Sequence, residues 1–162
     1  MTSKKLVPLP HGTLNHCFGC GQENPTGLRL RFFFDDDHRI VCRVRVPQRF
    51  EGPPGHVHGG IIATLLDEAM SKANRQFGVV AMTRQMEVEY LRPVPLLARL
   101  TLTARRVSAE GRAHRCEAQI CGGSGDILAS GKAVFIAVDP ATVLKRASPS
   151  LRPLATTSGF RT

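Results

Sequence analysis

Tryptophan is absent from this 162-residue chain, tyrosine occurs once, and aromatic residues amount to 6%. A nucleic-acid surface that stacks bases on rings has little to draw on here. No helix-turn-helix, zinc-finger or RNA-recognition pattern takes its place. No apolar run reaches the roughly 20 residues that span a bilayer, and the first residues lack the apolar core of a signal peptide. The expectation is a cytoplasmic protein with no membrane and no nucleic-acid partner. Structural disulfides among its five cysteines are not expected there. Acid is scarce as well: 13 Asp and Glu stand against 22 Lys and Arg, a net charge of +9. Lys4 and Lys5 carry two of those charges, and Lys145, Arg146, Arg152 and Arg161 carry four more in a stretch without acid. Residues 6–139 are left with +3, spread rather than gathered into a stripe. No internal repeat is evident, and the length suits one domain with a real core.

What is present is one long amphipathic segment. Ile61, Ile62, Leu65, Leu66, Ala69, Met70, Ala73 and Phe77 fall at the three-and-four spacing of a helix with a wide buried face. Gly78 stops it, and Lys72 and Arg75 lie in its last turns, where positive charge complements the helix dipole. Thr64, Asp67, Ser71 and Asn74 make a polar stripe along one side. Pro53, Pro54 and Gly55 form a tight entry, and Gly59 and Gly60 begin the helix. Two glycines there leave backbone N–H groups uncovered, a site for an anion or a developing oxyanion. Gly59 and Asp67 are eight residues apart, roughly 12 Å of helical rise. A general base must reach the water that attacks the polarised carbonyl. One helix serves both ends poorly, whereas two antiparallel copies across a dimer axis each supply one end.

His58-Gly59-Gly60 followed by Thr64-Leu65-Leu66-Asp67-Glu68-Ala69-Met70 resembles the signature of the hotdog-fold acyl-CoA thioesterases, particularly the phenylacetate-pathway (PaaI-like) type. The resemblance covers roughly residues 15 to 138. It implies an α+β hotdog fold, one long central helix wrapped by a curved antiparallel sheet, with active sites at a subunit interface. The partners it implies are an acyl-CoA substrate and a second copy of the chain, as homodimer or dimer of dimers. Asp67 matches the catalytic carboxylate, Gly59 the residue whose N–H holds the thioester oxygen, and Thr83 a hydroxyl contributed by the facing subunit, holding water or the carboxylate. His58 is expected to brace the turn by hydrogen bonds. No cofactor is implied. Many members carry Asn or Gln six residues before the His, where this chain has Gly52. Arg84 and Arg92 are the candidates for coenzyme A phosphates, since guanidinium suits phosphate. Glu68 lies about 100° around the helix from Asp67 and is assigned a structural role. Two rivals share the fold: a non-catalytic acyl-CoA-binding module, which the departure at Gly52 favours, and a dehydratase or hydratase, whose catalytic His is only partly imitated by His58.

The rest of the chain fits around this helix. Residues 1–14 read as an arm, 15–139 as the domain and 140–162 as a basic, mobile tail. Cys17-Phe18-Gly19-Cys20-Gly21, with Asn24-Pro25-Thr26-Gly27-Leu28 beyond it, is similar to an opening found in a group of these thioesterase-like proteins. It reads as a packed turn before the first strand: a redox role lacks a thioredoxin-like strand–helix context, and half a zinc site is the minority reading. His11 and His16 are the available completing ligands, and no second Cys pair follows. His56 and His58 lack a third ligand, so no metal is expected. Alternation predicts strands at Leu28–Phe34 and Ile40–Val46, with Asp35-Asp36-Asp37-His38 as a solvated turn between them. After the helix, Met82, Arg84, Met86, Val88 and Tyr90 form one face of a strand, with Thr83, Gln85, Glu87 and Glu89 on the other. Further strands follow around Leu100–Arg105, His114–Ile120 and Ile127–Val138, with Gly131 a bulge or close-contact site.

Overall fold

The computed structural model describes residues 5–10 and 15–146. Its elements in chain order are β1 (Val7–Pro8), β2 (Phe33–Phe34), β3 (Ile40–Val44), the helix α1 (Gly59–Arg75), β4 (Ala81–Tyr90), β5 (Leu100–Glu110), β6 (Ala113–Cys121), β7 (Ile127–Ala137) and the short α2 (Pro140–Arg146). The strands form one antiparallel sheet in the order β1-β2-β3-β5-β6-β7-β4. After β3 the chain passes through a loop into α1, which packs across the sheet and delivers it to the far edge, where β4 pairs only with β7 among the described residues.

The core is the interface between helix and sheet. Ile62, Leu65, Leu66, Ala69, Met70 and Ala73 of α1 are buried with Cys42, Leu102, Ala104, Cys116, Ala118, Ile120, Ala129 and Phe135 of the strands. Small residues in β5 to β7 let the helix sit close. At Gly131 a Cβ would meet Leu66 Cδ1 and Met70 Cε at 3.4 Å. It is a close-contact position, and β4 and β6 keep regular register past it.

Several sequence expectations need correction. Only Phe33–Phe34 of the first expected strand joins the ladder. Leu28 and Leu30 instead donate their N–H groups to the Phe18 and Gly19 carbonyls, and Arg29 has φ 50°. Leu30 and Phe32 are still buried, so the alternation reported burial correctly and pairing incorrectly. Part of the presumed arm is sheet: Val7 and Pro8 pair with β2, and Leu9 is buried. The tail begins as α2, and residues 147–162 lie outside the described residues, as does His11.

The acid turn is solvated at Asp36 and Asp37 but not at Asp35. Asp35 is buried, and its carboxylate accepts the N–H groups of Asp37 and Arg39 at 3.0 and 2.9 Å and the Arg39 guanidinium at 2.9–3.0 Å. Burial alone raises its carboxyl pKa, but these donors outweigh it and hold the group below the ordinary range. A depressed folded-state pKa means stability that is present above the unfolded pKa and lost as pH falls through the folded value. Asp35→Ala should therefore cost about 1–3 kcal/mol at neutral pH, by leaving its donors unsatisfied. Urea unfolding should show that gap closing as the pH is lowered.

The alternation in β4 also breaks. Thr83 pairs with Phe135 and Gln85 with Val134, so Arg84 is an extra, bulged residue. A one-residue slip exchanges the faces of a strand. Ala81 and Thr83 therefore face the helix together with Met86 and Val88, whose side chains pack on the core.

Candidate active site

The loop into α1 is built from backbone hydrogen bonds. His58 N–H donates to the Phe50 carbonyl at 3.0 Å, Val57 N–H to Val94 at 2.8 Å and Gly52 N–H to His56 at 2.9 Å. The Glu51 carboxylate accepts from Gly55 N–H at 2.6 Å. His58 caps the helix: its Nδ1 accepts from Gly60 N–H at 3.0 Å, which fixes the unprotonated nitrogen. The bracing expected of His58 is present. His56 points elsewhere, its Nδ1 2.9 Å from the Pro54 carbonyl, and the two imidazoles do not converge.

This cap separates the two glycines. Gly60 N–H is occupied by His58, whereas Gly59 N–H meets no acceptor among the described residues. Gly59 alone offers a free donor at the positive end of a helix of 17 residues. A Cβ on Gly52 would lie 2.8 Å from His58 Cα and 3.2 Å from its nitrogen, both backbone atoms. Asn or Gln therefore does not fit at that position while this loop keeps its shape.

Asp67 sits eight residues along α1 and is half-buried. Thr83 Oγ1 donates to its Oδ1 at 2.7 Å. The hydroxyl therefore holds the carboxylate, and it does so within one chain. The facing-subunit relation implied for Thr83 is thus not to Asp67. Burial pushes the Asp67 carboxyl above the usual aspartate range, and the Thr83 hydrogen bond pulls it part of the way back. The bulge at Arg84 is what aims Thr83 at the helix.

The polar stripe does not continue as expected. Asn74 is fully buried, with its Oδ1 accepting from the Cys116 thiol at 3.6 Å and its Nδ2 without a partner among the described residues. Lys72, expected to complement the helix dipole, is 9% exposed and pairs with Glu68 at 3.2 Å. Glu68 faces Cys17, away from Asp67.

Tyr90 was missed by the sequence reading. Its hydroxyl donates to the Gly59 carbonyl at 3.2 Å, so β4 reaches the helix start with Tyr90 and the carboxylate with Thr83. Being the chain's one tyrosine, at the end of a strand running back along the helix, was the available signal. Arg84 is exposed on the bulge next to Thr83. Arg92, beyond the other end of β4, pairs with Asp126 at 3.2 Å on the surface. A hollow of about 320 Å³ on the outer face of the sheet, lined by Arg39, Arg105, Gln119 and Lys132 among others, includes neither Asp67 nor Gly59.

Comparison with known proteins agrees with this fold. The family model described as "Thioesterase superfamily" matches residues 54–129, from the helix entry into β7. The acyl-coenzyme A thioesterase THEM4 of Rattus norvegicus is 33% identical over 91 residues, 56% of this chain and 39% of that protein. The chain spans about two fifths to half the length of the THEM4 proteins it matches. Among solved structures, protein RHA08564, titled a thioesterase superfamily protein, superposes with a TM-score of 0.72 at 30% identity, over 83% of this chain and 68% of that one. The BH2602 protein of Bacillus halodurans, solved with CoA, gives 0.62 at 28% identity, over 69% and 76%.

Proposed function

Since this chain belongs to the thioesterase superfamily and has its hotdog fold, we propose that it hydrolyses acyl-CoA thioesters at sites shared between two copies of itself. The observation that carries this reading is the Thr83-held, half-buried Asp67 carboxylate, eight helical residues from the free Gly59 N–H. In each site, Gly59 of one chain polarises the thioester carbonyl and Asp67 of the other removes a proton from water. The hydroxide adds to the carbonyl carbon, the C–S bond breaks, and the departing thiolate takes the proton from Asp67. Direct attack by Asp67, through a mixed anhydride that water then opens, uses the same atoms.

Support for a shared site comes from β4. It is a ten-residue edge strand with mostly exposed residues and, among the described residues, no strand on its outer side. A long unpaired edge is a liability that a second copy removes. Arg84, exposed on that strand beside Thr83, is the better placed of the two arginines for a coenzyme A phosphate. Arg92 has to release Asp126 first. The solved relative with CoA makes that ligand the first to try.

A panel of acyl-CoAs with free-thiol detection tests the proposal. Steady thiol release from at least one acyl-CoA is expected. Tight acyl-CoA binding without release would give the chain to the non-catalytic module, the reading that the steric exclusion of Asn or Gln at Gly52 favours.

Thr83 supplies a second check. Its hydrogen bond lowers the Asp67 pKa against burial. Removing it in Thr83→Val leaves burial unopposed, and the base must be ionised to work. The acid limb of kcat/KM should move to higher pH, while the high-pH plateau falls by no more than about tenfold, the worth of one hydrogen bond. A limb that stays in place would mean that another group sets it.

A further inference from the structure

Helix α1 carries a second polar cluster, one residue on from Asp67 and facing another way. Cys17 and Cys20 lie in a turn closed by Gly21 N–H donating to the Cys17 carbonyl at 2.9 Å. Asn15 organises it, accepting Cys17 N–H at 3.0 Å and donating toward Cys20 Sγ at 3.7 Å. Gly19 has no room for a Cβ because Glu68 lies against it. The Cys17 thiol is 3.3 Å from Glu68 Oε1, and Lys72 Nζ is 3.2 Å from Glu68 Oε2. The two sulfurs and a Glu68 oxygen lie within 4.8 Å of one another. Cys17 is half-exposed, while Cys20 is buried.

A packed turn needs none of this. A Glu–Lys pair taken out of water costs several kcal/mol per ion in desolvation, which apolar residues of similar volume avoid. A metal ion is poorly served, because Lys72 already places a fixed positive charge on the third ligand and beside Cys20. The arrangement instead differentiates two thiols. The neighbouring Cys20 sulfur holds the Cys17 thiol below the usual range, against burial and the Glu68 carboxylate 3.3 Å away. The same proximity, together with burial, pushes Cys20 up. A half-exposed thiol beside a buried one, with a carboxylate next to both, is the division of labour that disulfide exchange uses.

We propose that Cys17 and Cys20 form a redox-active dithiol that exchanges with low-molecular-weight disulfides, Cys17 attacking and Cys20 resolving. The Cys17 thiolate attacks one sulfur of the incoming disulfide. That S–S bond breaks, and the first small thiolate leaves and is protonated by solvent. Cys20 passes its proton to Glu68, which Lys72 holds in place, and attacks the Cys17 sulfur. The mixed disulfide breaks and the second thiolate leaves. The two protein thiols are oxidised as one small disulfide is reduced to two thiols. This inference does not depend on the hydrolase reading.

The test uses the reduced full-length chain and oxidised glutathione, followed by intact mass and peptide mapping. The wild type should lose two hydrogens, with the bond mapped to Cys17–Cys20. Cys20→Ser should stop at a glutathione adduct on Cys17, and Cys17→Ser should give neither product at these positions. Glu68→Gln should form the adduct but resolve it about 10²-fold more slowly, whereas a merely structural Glu68 would change melting temperature and leave that rate alone. Wild-type protein whose Cys17 and Cys20 take up no glutathione and form no bond overturns the proposal. So does one equivalent of zinc per chain, lost in either Ser variant, that protects both thiols from alkylation.

Discussion

Replacing Asp67 with Asn should lower kcat on any acyl-CoA the wild type turns over by about 10²–10⁴-fold, with KM nearly unchanged. Asn has almost the same shape, and its side-chain oxygen still accepts the Thr83 hydroxyl that now sits at 2.7 Å. What it lacks is the ability to take a proton from water or to act as a carboxylate nucleophile. A loss confined to kcat is the pattern of an interaction made in the transition state. The same variant should melt no lower than the wild type. The raised pKa of Asp67 means that ionising it works against the fold: that stability is present below the unfolded pKa and declines as the pH rises past the folded one. Asn keeps the uncharged state at every pH. Activity has the opposite sign, since the base must be ionised, so wild-type rates should fall on the acid side from a higher pH than an ordinary aspartate gives. Glu68→Gln leaves the hydrolytic carboxylate untouched and should change kcat little. Near wild-type kcat in Asp67→Asn with loss in Glu68→Gln would mean that the wrong carboxylate has been chosen.

Much of this was legible because α1 announces itself. Its apolar spacing, its glycines, Asp67 and the cap at His58 are local facts, and local facts survive folding. What sequence could not show depended on insertion and on distance. The bulge at Arg84 shifts β4 by one residue, so an unbroken alternation placed Thr83 opposite Met86 when both face the helix. Lys72 read only as a charge complementing the helix dipole, because nothing nearby in sequence showed what would bury it. Its partners are the Cys17–Cys20 turn, some fifty residues upstream, and Glu68 one turn before it. Gly52 read as a missing side chain, whereas the space belongs to the His58 backbone. Asp35 read as one of three solvated acids, although its carboxylate is what closes the turn.

The second large effect concerns Gly59. Gly59→Pro removes one atom of function, the free N–H, at a place where proline is welcome. Gly59 is the first residue of α1, the position at which proline is favoured because its missing donor would be unbonded anyway. His58 before it has φ −59° and ψ 138°, the extended conformation a following proline requires. A Cβ at Gly59 meets nothing closer than Tyr90 at 3.7 Å. The variant should fold and lose about 10²–10³-fold in kcat, the cost of an oxyanion donor. Asp67→Asn homodimers and Gly59→Pro homodimers should then both be nearly inactive. Mixing them by unfolding and refolding gives heterodimers in which one site carries both lesions and the other carries neither. If half the dimers are mixed, activity should return to about a quarter of wild type, following from two-fold symmetry alone. Differently tagged copies verify that mixing occurred. Verified heterodimers that stay inactive would place Gly59 and Asp67 of one site in the same chain, against the roughly 12 Å of helix between them.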